Sequence, residues 1–226
     1  MTPTDRNRRR VLKAIAVTAT GTLIPRAAFA QAGSDADLLP VPDVCTLMPE
    51  TTEGPYYLDG NLVRRDIRED REGSPMLVRL QIVDTACRPV AGARVDIWHC
   101  DAQGVYSAYG EGRGETFLRG TQMADERGVA EFETVYPGWY PGRTVHIHYK
   151  VHLDERTVLT GQMFFPEEIS QALYGEGGAY ARNRRRNTMN ANDGIARRAT
   201  QAAVATVRGD AEAYLAQLIV GVDPAA

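Results

Sequence analysis

The sequence predicts an all-β fold, and three observations carry that prediction. Apolar residues recur at every second position in short runs, glycine and proline fall between those runs, and helix-forming stretches are confined to the tail. In chain order, Met76 to Asp84 alternates with Val78, Leu80 and Ile82 on one face. Arg94 to His99 continues the pattern, with Val95 and Ile97 opposing Asp96 and Trp98. Gly128 to Val135, Thr144 to Leu153 and Val158 to Phe165 read as further strands, with turn signals at Gly73, Pro89, Gly92, Pro137 and Gly142. Pro166 to Leu173 reads as a short helix, Ala199 to Val207 fits helix or strand, and Ala213 to Val222 reads as a returning strand. Many short strands with turn signals between them imply a sandwich or a barrel.

The first thirty residues are of a different kind. Asn7-Arg8-Arg9-Arg10-Val11-Leu12-Lys13 resembles a twin-arginine export signal, followed by an apolar run from Ala14 to Ile24 and by Ala28-Phe29-Ala30 as a small-residue cleavage site. That run falls short of the roughly 20 residues a bilayer span needs, so a cleaved signal peptide is expected and no stable membrane anchor. Residues 1–30 are thus expected to engage the twin-arginine export machinery and deliver the protein to the periplasm or the medium. Residues 31–44 read as a linker, and residues 45–222 as one domain long enough to bury a sizeable core. Residues 1–30 hold six of the 26 Lys and Arg and one of the 29 Asp and Glu, so the remainder carries a net charge of −8. An acidic domain of this kind is a poor nucleic-acid binder. The local run Arg182, Arg184, Arg185 and Arg186 reads as a solvated loop face. Of the three cysteines, Cys45, Cys87 and Cys100, an oxidising compartment would pair two. A Cys45–Cys87 bridge would tie the amino-terminal arm to the domain and leave Cys100 as a buried thiol; other pairings stay open.

The most informative residues are two tyrosines and a His-X-His pair: Gly104-Val105-Tyr106-Ser107, Trp139-Tyr140-Pro141-Gly142-Arg143, and Val145-His146-Ile147-His148-Tyr149. Strand alternation puts His146 and His148 on one face with Cα atoms roughly 7 Å apart, close enough to converge on one ion. His152 shares the face but lies roughly 20 Å from His146 at the same rise, too far to join them. Imidazole alone is an unspecific ligand, and a polar strand face carries histidines without any metal. Phenolate is more selective, because it suits a hard, highly charged cation. Two phenolates and two imidazoles would leave a ferric ion one net positive charge.

At these residues the chain resembles the intradiol ring-cleaving dioxygenases, the non-haem ferric family of the catechol and protocatechuate enzymes. Pro49-Glu50-Thr51-Thr52-Glu53-Gly54-Pro55-Tyr56-Tyr57 is similar to the family's amino-terminal signature. Pro89 to His99 followed by Gly104-Val105-Tyr106-Ser107 is similar to its first ligand block. Arg143-Thr144-Val145-His146-Ile147-His148 is similar to its Arg-x-x-His-x-His block, and Thr160-Gly161-Gln162-Met163-Phe164-Phe165 follows in order. The resemblance implies a β-sandwich with long metal-carrying loops and a short helical element near the C-terminus. It implies one Fe(III) per chain held by Tyr106, Tyr140, His146 and His148. Tyr140 matches the ligand that a chelating diol displaces and that can then take up a substrate proton. Arg143 matches a cation that stabilises negative charge on the substrate ring, and Gln162 an amide beside it. The implied reaction joins a small aromatic diol and O2, cleaving between the two hydroxyl-bearing carbons to a cis,cis-muconate-type product. A homo-oligomer is compatible with the sequence.

Other residues read more blandly. Tyr56 and Tyr57 fit pocket or core equally, Tyr109 and Tyr136 read as loop packing, and Trp98 and His99 as structural. Trp139 stands next to Tyr140, with its side-chain direction undetermined. Two other classes compete with the dioxygenase reading. One is a non-catalytic exported binding module. The other is a copper or zinc protein using His146 and His148, which the tyrosines suit badly.

Overall fold

The computed structural model describes residues 46–225. In chain order its elements are β1 (Pro75–Val83), β2 (Arg94–Trp98), β3 (Arg119–Met123), β4 (Val129–Val135), β5 (His146–Leu153), β6 (Arg156–Phe164), α1 (Glu167–Glu176), α2 (Gly194–Ala199), β7 (Thr206–Asp210) and β8 (Ala213–Gly221). The strands form two four-stranded sheets, ordered β4-β1-β8-β7 and β3-β2-β5-β6. All pairings are antiparallel except β1 with β8, which run parallel.

Alternation along each strand builds the sandwich. Val78, Leu80 and Ile82 from β1, with Ala216, Leu218 and Val220 from β8, face Val95 and Ile97 of β2 and Ile147, Tyr149 and Val151 of β5 in one buried cluster. Burying such side chains is worth roughly 1.5–3 kcal/mol each, so the period-two pattern fixes which face of each sheet turns inward. The consequence for β5 is direct. With its odd-numbered residues committed to the core, His146 and His148 point away from it, onto the outer face of their sheet. Long connections then cover that face: residues 99–118 between β2 and β3, residues 136–145 between β4 and β5, and the segment before β1.

The expected elements are present with shifted ends, β3 lies where no strand was expected, and β7 begins inside the ambiguous stretch and runs beyond it. β3 reads Arg-Gly-Thr-Gln-Met and β7 reads Thr-Val-Arg-Gly-Asp. Both are edge strands of their sheets, and neither carries the alternating apolar residues of a central strand. The ambiguous stretch Ala199 to Val207 divides between the end of α2, a 3-10 turn at Gln201–Ala203 and the start of β7. Asp193 caps α2, accepting the amides of Ile195 and Ala196. The helix expected from Pro166 begins at Glu167 and runs three residues past Leu173. Cys87 is disulfide-bonded and Cys100 is a free buried thiol. The export signal, the linker and Cys45 lie outside the described residues.

Candidate metal centre

Strand register assembles the floor of the site. Trp98 on β2 and Gln162 on β6 are the direct neighbours of His148, and Arg119 on β3 is the neighbour of Trp98. Directly paired residues share a face, so Arg119, Trp98, His148 and Gln162 form one row across the outer side of the sheet. Trp98 stacks on His148 with ring centroids 4.9 Å apart and planes 9° from parallel. The tryptophan read as structural is therefore structural for the site: it fixes the orientation of that imidazole.

Two loops and a strand bring the candidate ligands together. Nε2 of His146 is 3.1 Å from Nε2 of His148, and the Tyr140 hydroxyl is 3.1 Å from Nε2 of His146. The Tyr106 ring lies 5.8 Å from that of Tyr140 and 6.3 Å from that of His148. Nδ1 of His146 is 2.7 Å from the Thr144 carbonyl. The tautomer that this contact assigns puts the proton on Nδ1 and leaves Nε2 as a lone pair. Burial, aided by the Arg143 guanidinium, holds His146 down at about 3. Burial, then His146 and Arg143, hold His148 well below the ordinary range. Both imidazoles are neutral, as metal ligation requires.

The tyrosines complete the case for a cation. The Tyr106 hydroxyl is buried and has no hydrogen-bond partner, an arrangement that native interiors rarely tolerate. Burial pushes the Tyr106 phenol well above its usual value and Tyr140 up to about 12. Neither phenol ionises here unaided, whereas a multivalent cation at the point where the four side chains converge would favour both phenolates. Among the described residues, no three of His, Cys, Asp and Glu come together as a metal site. A metal here needs the tyrosines, and the mixed imidazole–phenol donor set suits a hard ion such as Fe(III) better than copper or zinc.

Arg143 stands immediately behind the ligands. Its Nη1 is 3.5 Å from Nε2 of His146, its Nη2 donates to Oε1 of Gln162 at 2.5 Å, and its Nε donates to Oδ2 of Asp193 at 2.9 Å. The other end of Gln162 is also used, its Nε2 donating to the Thr52 carbonyl at 2.8 Å. Gln162 as placed therefore orients Arg143 and ties the amino-terminal segment to β6. In that segment Gly54 has φ +69, and a Cβ there would stand 3.4 Å from Cε1 of His148. Glycine lets the backbone close over the imidazole.

The remaining sequence candidates separate cleanly. Tyr56 stacks on Tyr106 at 4.3 Å, whereas Tyr57 donates to Asp96 at 3.0 Å. Tyr109 donates to the Tyr57 carbonyl at 3.0 Å, and Tyr136 is paired with Ser170 at 2.7 Å in the core. His99 lies buried between the Cys100 carbonyl and Thr134. His152 pairs with Asp96 at 3.0 Å, away from the ligand cluster. Trp139 is buried, with the Arg182 guanidinium 4.2 Å over its ring. The arginine run is not a uniform solvated face: Arg184 and Arg185 are exposed, but Arg182 folds onto Trp139 and Arg186 onto Glu167. A charge run shows its composition but not which members find partners in the fold.

Sequence reasoning missed two residues. Asp193 is 2 % exposed and accepts both the Arg143 guanidinium and the Thr144 amide. Burial works to raise its carboxyl, but those two donors outweigh it and hold it below the usual range. Its one sequence signal is the capping position before Gly194-Ile195-Ala196. Arg119 left no signal at all.

Comparison with known proteins places the chain among dioxygenases. A family model described as Dioxygenase matches residues 52–174. A catechol 1,2-dioxygenase of a Pseudomonas species is 32% identical over 138 residues, covering 51% of this chain and 46% of that protein. A hydroxyquinol 1,2-dioxygenase of a Rhizobium species is 32% identical over 128 residues, covering 47% of this chain and 43% of that protein. The matched region thus spans about half the length of these curated relatives. Among solved structures, an intradiol ring-cleavage dioxygenase from Tetranychus urticae superposes with a TM-score of 0.74 at 35% identity, covering 80% of this chain and 96% of that one. The dioxygenase domain of a Streptomyces carbohydrate-binding fusion protein gives 0.62 at 27% identity, over 79% of this chain and 99% of that one.

Proposed function

Since the chain belongs to the intradiol ring-cleaving dioxygenase family, we propose that it is a ferric enzyme cleaving a small aromatic diol with O2. The observation that carries the reading is the convergence of Tyr106, Tyr140, His146 and His148 on one point, with Arg143 directly behind. These four residues would hold one Fe(III), which supplies the Lewis acidity and redox levels that let a chelated diolate meet O2. The rest is the work of the chain's own groups.

His146 and His148 are kept neutral by burial and oriented by the Thr144 carbonyl and the Trp98 ring. Tyr140 has a second partner for its hydroxyl in His146, and it is less buried than Tyr106. It is the group placed to take a proton from the incoming diol. Arg143, anchored by Asp193 and Gln162, holds its positive charge where negative charge develops on the ring and its oxygens, an electrostatic contribution. Gly54 lets the amino-terminal segment close over His148 and help shield the site from water. Cleavage between the hydroxyl-bearing carbons places both oxygen atoms of O2 in a cis,cis-muconate-type diacid, so the overall equation balances without an external reductant.

The reading extends to the cell. Residues 1–30 serve as a twin-arginine signal cleaved after Ala30, leaving the mature enzyme in the periplasm or the medium with a Cys45–Cys87 disulfide. The supporting observations are Arg8-Arg9 ahead of a short apolar run, the bonded state of Cys87 and the free thiol of Cys100.

Metal analysis, a visible spectrum and product analysis on a panel of catechols under O2 test the chemistry. One iron per chain, a red-brown phenolate-to-iron band and muconate-type products are expected. Iron without that band would end the tyrosinate assignment. A semialdehyde, formed by cutting outside the diol, would end the assigned regiochemistry. The intact mass of exported protein, with and without reductant, tests processing and the disulfide.

A further inference from the structure

Arg119 opens β3, 5 % exposed, and it pairs with no carboxylate among the described residues. Its three nitrogens are spent on two segments that reach the candidate metal centre. Nε donates to Oγ of Ser107 at 2.8 Å, and Nη2 to the Ser107 carbonyl at 2.8 Å. Nη1 donates to the Tyr56 carbonyl at 2.6 Å. Ser107 directly follows Tyr106, and the Tyr56 ring stacks on the Tyr106 ring. The hydroxyl of Ser107 passes the chain of bonds on, donating to the Phe117 carbonyl at 2.6 Å at the far end of the same loop.

A buried guanidinium whose direct bonds go only to neutral oxygens is costly unless an anion stands close by. The residue before its Ser107 acceptor is Tyr106, whose hydroxyl is left without a hydrogen-bond partner. The two irregularities, an unpaired buried cation and an unpaired buried phenol, lie on either side of one residue, Ser107.

We propose that Arg119 is the positioning residue for Tyr106. Its planar fork locks the Tyr106-bearing loop and the Tyr56 segment into one register, which sets where the Tyr106 oxygen points. Arg119 touches neither substrate nor metal; it acts through the tyrosine. A lysine would retain the charge but not the fork, since an ammonium lacks the planar array that reaches three acceptors at once.

This inference rests on the reading of Tyr106 as an iron ligand, and the experiment keeps the two apart. The full chain, Arg119→Gln and Arg119→Lys are loaded with ferric iron under identical conditions. Iron affinity, the visible band at equal iron occupancy and far-UV circular dichroism are measured for each. Partners of this kind typically change metal affinity by about 10–100-fold, and a loss in that range is expected for Arg119→Gln with a shifted band. Arg119→Lys should recover part of the affinity. A folded Arg119→Gln protein with unchanged affinity and an unchanged band overturns the proposal. Should Arg119→Gln fail to fold, Arg119→Lys decides: a shifted band supports the role and an unchanged one removes it. A wild-type protein that binds iron without any phenolate band fails at the earlier step, the ligation by Tyr106 itself.

Discussion

The two tyrosine-bearing loops converge on one place but are built differently. Tyr106 is 5 % exposed, its ring is stacked under Tyr56 and its hydroxyl has no partner. Tyr140 is less buried, and its hydroxyl already has a partner in His146. The Tyr106 loop hangs from Arg119 through neutral oxygens. The Tyr140 loop is anchored through Arg143 and the Thr144 amide to the buried carboxylate of Asp193. The loops touch where Gly104, at φ +84, lies against the Trp139 carbonyl, a spot with no room for a Cβ. If both oxygens ligate iron as proposed, the difference separates a fixed donor, whose oxygen has no other hydrogen-bond partner, from an exchangeable one that keeps His146.

The sharpest way to break that comparison is to remove each oxygen in turn. Tyr106→Phe should lose most of its iron and its colour, because the buried site then offers three donors and no fixed phenolate. Tyr140→Phe should keep iron and show a displaced band. Equal iron loss in both variants, read by metal analysis after identical loading, would erase the distinction between the loops.

Next in size is Arg143→Ala. Loss of one positioned electrostatic contact to developing charge typically costs on the order of 10²–10³ in rate. The expected result is a fall of that size in kcat with little change in iron content, since Arg143 is not a ligand. Unchanged turnover in an iron-replete variant would remove its catalytic role and leave it a salt bridge to Asp193.

Much of this architecture was legible before the fold was seen, and the reason is local. The two faces of β5 could be read because period two is a property of neighbouring residues, so His146 and His148 separated from Ile147 and Tyr149 by position alone. The two tyrosines that the fold brings beside the histidine pair stood out through their glycine-flanked motifs. Asp193 and Arg119 were not, because their roles come from pairings 50 residues away, to Arg143, and 63 residues away, to Tyr56. β3 hid for the same reason: its sequence gains meaning only from its register with β2, which puts Arg119 opposite Trp98.

Asp193→Asn probes the Tyr140 loop at its anchor. The amide keeps one acceptor oxygen but loses the charge, while Oδ2 of the carboxylate serves both the Arg143 Nε and the Thr144 N–H, each at 2.9 Å. A hydrogen bond to a charged group is worth about 1.5–3 kcal/mol, and partial loss of one should lower kcat roughly tenfold. Iron content should not change. A fall in iron equal to the fall in kcat would show that Asp193 holds the ligand loop as a whole and not Arg143 in particular.

The smallest expected effect comes from Gly54→Ala, which asks whether the amino-terminal segment is as tightly specified as the Tyr106 loop it covers. Gly54 is at φ +69, where a residue with a Cβ pays about 1–2 kcal/mol. The added carbon would meet Cε1 of His148 at 3.4 Å, the near edge of ordinary contact, so steric cost adds little to backbone cost. A destabilisation of about 1 kcal/mol lowers Tm by ~2–4 °C in a domain of this size. Thermal unfolding of the iron-loaded protein measures it, with the visible band as control. A shift in that range with an unaltered band means that the segment closes over His148 without setting its ligation. A displaced band at a similar Tm would mean that the segment presses on the imidazole itself, and the rigid half of the site would then extend from Tyr106 to the Gly54 turn.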